Sequence, residues 1–260
     1  MKVVILAGGM GTRISEESHL RPKPMVEIGG HPILWHVMKI YSAQGFNDFI
    51  ICCGYRGYMI KEYFANYYLH RSDITFDFSA ENKMIIHNNV AEPWKVTVVD
   101  TGLHTQTGGR IKRVRKYLDE SAFMMTYGDG VGDIDLNSLA AQHKNSNMIA
   151  TLTAIQPTAR FGILDMDDEK NCVVGFREKA KEDMNWVNAG FMVLEPEVFD
   201  YIDDDSTYFE REPLKRLSAA GKLGVYKHDG FWQCMDTQRD RNHLESKWKN
   251  DCAPWKIWED

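Results

Sequence analysis

The segment LAGGMGTR, Leu6 to Arg13, places three glycines, a threonine and an arginine directly behind the apolar run KVVILA. Loops of that composition bring backbone N–H groups against an anion. A P-loop would need a Gly-Lys pair, but Gly8 is followed five positions later by Arg13 and this segment has no such pair. A dinucleotide fingerprint would need a third glycine where Ile14 stands, and a helix starting there. Instead, about twenty residues of polar, proline-containing chain follow. What remains is a loop that brings its own charge. From the strand end at Leu6 and Ala7, the amides of Gly8, Gly9, Met10, Gly11 and Thr12 can surround a phosphate or a base edge, and Arg13 offers a planar fork of donors. In RPKPM, two prolines flank Lys23 and limit where it points. The pattern is that of a triphosphate clamp with positive charge from two sides; the alternative is a plain strand-to-loop turn with exposed basic residues.

LAGGMGTR followed by KPMVEIGGHPIL resembles the sugar-nucleotide pyrophosphorylases, nucleotidyltransferases acting on sugar 1-phosphates. The resemblance implies attack of a sugar phosphate on the α-phosphorus of a nucleoside triphosphate, with pyrophosphate leaving. Two polyanions must meet, so the chemistry depends on positioning and cations rather than on a covalent nucleophile. Two aspartates suit a Mg²⁺ ion. Asp129 lies in the glycine-flanked turn TYGDGV at a strand end, and Asp236 lies in WQCMDT just before the last helix. The resemblance implies that both bind one magnesium ion and that Arg13, Lys23 and Asp129 act in catalysis. Taken singly, Asp129 is also a turn residue and Asp236 a helix N-cap. Asp133 and Asp135 read as turn and cap residues, and Asp165, Asp167 and Asp168 as a solvated acidic turn.

On the sugar side, the resemblance implies Glu178 and Lys179 in FREK, and Asn188 and Gly190 in VNAGF, with Gly190 leaving room for a ring. The family's Glu-Lys-Pro is changed here, because Ala180 follows Lys179. The segment EPWKVTVVDTGLHTQTGGR (92–110) resembles the subgroup that joins CTP to glucose 1-phosphate and makes CDP-glucose, a precursor of bacterial surface polysaccharide sugars. It implies Thr105, Thr107 and Arg110 as contacts to the pyrimidine or the phosphates. A donor with another base, dTTP or UTP, stays open, as does a non-catalytic nucleotide-binding module. An NAD(P)-linked oxidoreductase lacks its third glycine.

The elements that must position these residues alternate. KVVILA (2–7), DFIICCG (48–54), WKVTVVDTG (94–102), AFMMTYGDG (122–130) and MIATLTAI (148–155) read as strands. Helices are expected after Pro32 and over 58–69, 108–118 and LNSLAAQHKN. This argues for an α/β fold with a Rossmann-like, mostly parallel sheet flanked by helices. Beyond residue 156 the spacing predicts a small extra β region for the sugar, two strands around the acidic turn. A strand over 186–194, the helix EREPLKRLSAAG, the strand KLGVYKH and a final helix QRDRNHLESKWK follow. No linker divides the chain, so one domain is expected, with a nucleotide-binding half (1–150) and a sugar-binding half (151–260).

The 260 residues carry a net charge of −6, which gives no overall pull toward nucleic acid or an anionic membrane. RIKRVRK (110–116) is basic, but a helix would turn its charges to solvent. Five cysteines without a C-x-x-C suggest neither zinc nor a disulfide framework, and Cys52–Cys53 reads as a buried, inert pair. No apolar run spans a bilayer and MKVVILAGG is too short for a signal peptide, so a cytoplasmic protein is expected. Trp248, Trp255 and Trp258 point to packing or subunit contacts, and a homo-oligomer is expected.

Overall fold

Short β-branched runs without polar alternation demand burial on both faces, and the central strands receive it. The computed structural model describes residues 1–11, 20–79, 83–89, 91–157, 163–167, 172–177 and 185–259. Seven strands form one sheet: β1 (Val3–Ala7), β2 (Asp48–Cys53), β3 (Lys95–Asp100), β4 (Phe123–Tyr127), β5 (Ala150–Ile155), β6 (Val187–Leu194) and β7 (Leu223–His228). Their order is β7-β5-β6-β4-β1-β2-β3. β6 runs antiparallel to β4 and β5, while the remaining pairings are parallel. Along β1, Val3, Ile5 and Ala7 face one core layer, and Val4 and Leu6 face the other. The mostly parallel, helix-flanked sheet expected from the sequence is thus observed, and β4 from the first half of the chain pairs directly with β6 from the second.

From β1 the chain moves outward through β2 and β3 on one side and returns at β4 on the other. Such a reversal opens a crevice at the carboxyl ends of the strands. Leu6 and Ala7 end β1 there, and Tyr127 ends β4; the Gly128 N–H donates to the Leu6 carbonyl at 3.0 Å.

The expected hairpin is present, Ile163–Asp167 against Cys172–Arg177, but Asp165 and Asp167, expected in its acidic turn, belong to the first strand, paired with Gly175 and Cys172; Asp168 lies outside the described residues. Three further expectations need adjustment. The helix expected over 58–69 breaks at Asn66 into Gly57–Ala65 and Tyr67–His70, because Asn66 leaves the helical region at φ −104°, ψ 3°. The helix expected over 108–118 runs Thr107–Arg113, then tightens into a 3₁₀ turn over Arg115–Tyr117. Its basic residues are not simply solvated. Lys112 donates to the Ile202 and Asp203 carbonyls, and Arg113 pairs with Asp205. Third, Trp232–Cys234, read only as a lead into the last helix, is a strand pairing antiparallel with Gly130–Gly132.

The C-terminal tryptophans pack within the chain. Trp255 is 1% exposed, stacks on Phe231 with ring centroids 5.5 Å apart, and stacks on Trp248. Trp248 and Trp258 meet Trp35 and His36 of the Ile33–Ser42 helix edge-on or tilted. Burial holds the His36 pKa down at about 4, so it packs as a neutral ring. The segment after the Gln238–Lys249 helix therefore closes the core under the site. Trp255→Ala should cost about 3–5 kcal/mol of unfolding free energy. Urea titration measures it, and a loss below about 1 kcal/mol would show that the aromatic cluster does not anchor the C-terminus.

Candidate active site

β1 delivers the glycine loop, and its glycines differ in what requires them. A Cβ on Gly8 would strike the Arg110 guanidinium, whereas Gly9 faces open space and Gly11 adopts φ 63°, a conformation that favours glycine. Leu6, Ala7, Gly8, Gly9, Met10 and Gly11 line a cavity of about 390 Å³ together with Lys23, Thr105, Thr107, Arg110, Tyr127 and Asp129. That is large enough for a small ligand. Thr12 and Arg13 lie outside the described residues.

Arg110 lies beneath this loop, 5% exposed. Its Nη1 donates to the Cys53 carbonyl at 3.0 Å and to Thr101 Oγ1 at 2.7 Å; its Nη2 donates to the carbonyls of Gly8 at 3.1 Å and Leu103 at 3.4 Å. These four acceptors are uncharged. Burial lowers the Arg110 pKa, yet an arginine stays protonated. Arg110 lines the cavity as expected, but its donors hold the loop from behind, and its positive charge sits under the place where an anion would lie. Thr107, expected to meet a pyrimidine edge, has its hydroxyl bonded to Glu210 and to the Phe209 N–H. Thr105 is buried against the cavity wall. Cys52 and Cys53 are buried behind the loop, and burial pushes Cys53 up to about 12, so both remain thiols.

At the centre of the crevice, Lys23 opens a 3₁₀ turn over Lys23–Met25, between Pro22 and Pro24. Its Nζ donates to Asp129 Oδ2 at 2.6 Å and to Asp236 Oδ1 at 2.5 Å. Burial opposes the ammonium charge, but the two carboxylates outweigh it and raise the Lys23 pKa above its ordinary 10.5. The strand Gly130–Gly132 carries Asp129 on its leading end, and its partner Trp232–Cys234 carries Asp236 just beyond. The Met235 N–H donates to the Asp129 carbonyl at 2.8 Å, which fixes the two aspartates side by side. Asp236 is not the helix cap. Thr237 caps the Gln238–Lys249 helix in a capping box with Asp240, whose Oδ2 also accepts from the Asp236 N–H at 3.1 Å. The Asp236 carboxylate is thereby released toward the crevice. Asp135 caps the Leu136–Lys144 helix, as expected, and Asp133 accepts from the Phe231 N–H.

A second cavity, of about 420 Å³, opens on the other side of Asp129. Asn188, Ala189, Glu210, Trp232, Cys234 and Asp236 line it, with Tyr127 and Asp129 shared between the two cavities. Asn188, expected on the sugar side, lines this cavity, and its Oδ1 accepts from the Gly190 N–H at 2.8 Å. Gly190 differs from expectation: the space it leaves holds the Tyr127 ring rather than a sugar, and its φ of 87° requires a glycine. Burial pushes the Cys234 thiol up to about 12. Glu178 and Lys179 lie outside the described residues. Glu210 was missed because it reads as the start of a helix, which in fact begins at Glu212.

The residues fit a divalent ion. Asp129 and Asp236 already enclose one cationic atom, the Lys23 Nζ, and offer hard oxygen donors. No cluster of three or more His, Cys, Asp or Glu side chains with metal-ligand geometry occurs among the described residues. Any ion here would take its remaining ligands from water and phosphate.

Residues 2–249 match the nucleotidyl transferase family. The chain belongs to that family. It is 56% identical over 260 residues to the glucose-1-phosphate cytidylyltransferase of Salmonella typhi, covering the full length of both chains. It is 42% identical over 259 residues to a probable glucose-1-phosphate cytidylyltransferase of Bacillus subtilis (strain 168), covering 99% of this chain and all of that one. Among solved structures, HddC from Yersinia pseudotuberculosis superposes with a TM-score of 0.69 at 25% identity, covering 95% of this chain and 99% of its own. The nucleotidyl transferase family thus accounts for the sheet, the glycine loop and the crevice together.

The Lys23 pKa is raised, so its ion pairs contribute their full stability below pH 10.5 and lose it as pH rises further. The difference in urea midpoint between wild type and Lys23→Met should stay constant from about pH 7 to 9 and shrink above pH 10.5. A difference that grows with pH there would contradict a charged, doubly paired lysine.

Proposed function

We propose that the chain transfers CMP from CTP to α-D-glucose 1-phosphate, giving CDP-glucose and pyrophosphate. Full-length identity of 56% to a glucose-1-phosphate cytidylyltransferase carries this reading, and the geometry supports it. The glycine-lined cavity takes the nucleotide; the cavity of Asn188 and Trp232 takes the sugar. They meet at Asp129, where the two phosphates must react.

An oxygen of the sugar phosphate attacks the α-phosphorus in line with the leaving pyrophosphate, and the α–β P–O bond breaks. The attacking phosphate is already ionised, so no general base is required. Gly8–Gly11 and Thr12 would hold the phosphates by their amides, and Arg13 would add charge from the loop. Lys23 would hold a phosphate oxygen once those anions compete with the aspartates. Asp129 and Asp236 would hold a magnesium ion, whose charge offsets the repulsion between the reactants and that building on pyrophosphate. Glu178, Lys179 and Asn188 would hold the sugar and its phosphate, Lys179 as a point charge.

Among the described residues no helix is long and apolar enough to cross a membrane. A cytoplasmic site of action, with the product passed to surface polysaccharide, belongs to the same reading. Self-association would use a surface other than the C-terminal tryptophans, which pack within their own chain.

Pyrophosphate release should be fastest with CTP and glucose 1-phosphate in a panel of nucleotides and sugars, and EDTA should abolish it. Equal rates with dTTP or UTP would remove the cytidine assignment. Asp129→Asn and Asp236→Asn should each lower kcat by at least the roughly 100-fold that outer partners of metal sites cost. Full activity in either, with the fold intact by circular dichroism, would overturn the ion's placement.

A further inference from the structure

Glu210 occupies a junction that neither the glycine loop nor the paired aspartates explain. Its Oε1 accepts from the Tyr127 hydroxyl at 2.5 Å and its Oε2 from the Thr107 hydroxyl at 2.6 Å. Tyr127 walls both cavities, Thr107 lines the first and Glu210 the second. The surrounding backbone is stitched to the same place. Gln106 N–H donates to the Asp205 carbonyl at 2.8 Å and Gly108 N–H to the Thr207 carbonyl at 2.9 Å. A Cβ on Gly108 or Gly109 would collide with Thr207 or Asp205. The two glycines of TGGR thus admit the 205–210 loop, which brings Glu210 to the partition between the cavities.

The chemistry of that position is selective. A carboxylate accepts about four hydrogen bonds, and each Glu210 oxygen has one hydroxyl donor, so acceptor capacity remains on the cavity side. No cation pairs with Glu210 in a salt bridge among the described residues, so the negative charge repels phosphate and favours neutral O–H donors. The same cavity is lined by the Asn188 amide and the flat Trp232 indole, whose Nε1 donates to the Ala189 carbonyl at 2.8 Å. A polyhydroxylated ring matches that lining; a second phosphate does not.

We propose that Glu210 is a specificity-determining residue for the acceptor, taking a hydrogen bond from one hydroxyl of the sugar ring while Thr107 and Tyr127 hold its carboxylate in place. This rests on the transferase reading above and names the residue that reads the sugar.

Glu210→Gln keeps the shape and weakens the acceptor. Its KM for glucose 1-phosphate should rise roughly tenfold or more, with kcat and the KM for CTP changed less than about threefold. A purely structural role would move both KM values and the melting temperature together, and that result would overturn the proposal. The 2-, 3-, 4- and 6-deoxy analogues of glucose 1-phosphate give the sharper readout. In the wild type, one analogue should lose roughly tenfold in kcat/KM relative to glucose 1-phosphate. In Glu210→Ala, removing that same hydroxyl should lower kcat/KM by less than about twofold, because its partner is already gone. Equal penalties in wild type and Glu210→Ala for every analogue would sink the assignment while leaving the transferase activity standing. A wild-type protein that releases no pyrophosphate from any sugar phosphate would overturn both.

Discussion

Two aspartates that arrive from residues 129 and 236 face each other across one ammonium group, and the crevice is organised around that encounter. Carboxylates brought this close repel each other, and a positive charge between them removes that cost. A lysine buried this deeply needs anions to keep its charge. Each requirement answers the other, so Lys23, Asp129 and Asp236 form a unit that is stable before any substrate arrives. The same unit is suited to exchange. Phosphates offer Lys23 new anions, and the aspartates retain hard oxygens for a divalent ion. The architecture serves this unit: Gly130–Gly132 paired with Trp232–Cys234 sets the spacing of the aspartates, and the Thr237–Asp240 capping box keeps Asp236 out of the helix end.

A second buried cation complements it. Among the described residues Arg110 meets carbonyl and hydroxyl dipoles and no paired carboxylate, so its positive charge lies at the floor of the glycine loop. Holding such a charge is costly, and the cost falls when an anion lies over the loop. Arg110 also explains why Gly8 and Gly54 lack side chains: a Cβ on either would meet its guanidinium. Part of what reads as a ligand-binding glycine pattern is therefore a requirement of the support beneath it.

The sheet was largely legible because β1, β2, β4 and β5 are short apolar runs bounded by turn residues, and burial on both faces requires that pattern. The final helix was legible in its bounds, Gln238–Lys249, but not in its cap, which is Thr237 with Asp240 rather than Asp236. Trp232–Cys234 was not, because three residues carry no periodicity and its pairing depends on a strand a hundred residues earlier. At the site, Lys23 between two prolines and Asp129 between two glycines mark special backbone, whereas Asp236 and Asn188 were named through the family resemblance. Arg110 lines the first cavity and Gly190 neither of the two, although both were given ligand roles. Whether a guanidinium points at a substrate or at three carbonyls, and whether a glycine clears space for a sugar or for Tyr127, depends on partners far away in sequence. Glu210 was invisible for the same reason, since its importance comes from Thr107 and Tyr127 rather than from its neighbours.

The most direct test of the exchangeable cation site is a crystal structure with CTP and manganese, using anomalous scattering to locate the ion. The account predicts the triphosphate against Gly8–Gly11, an anomalous peak between Asp129 and Asp236, and the Lys23 ammonium moved from at least one carboxylate onto a phosphate oxygen. Lys23 still bridging both aspartates, with the ion bound elsewhere, would contradict it.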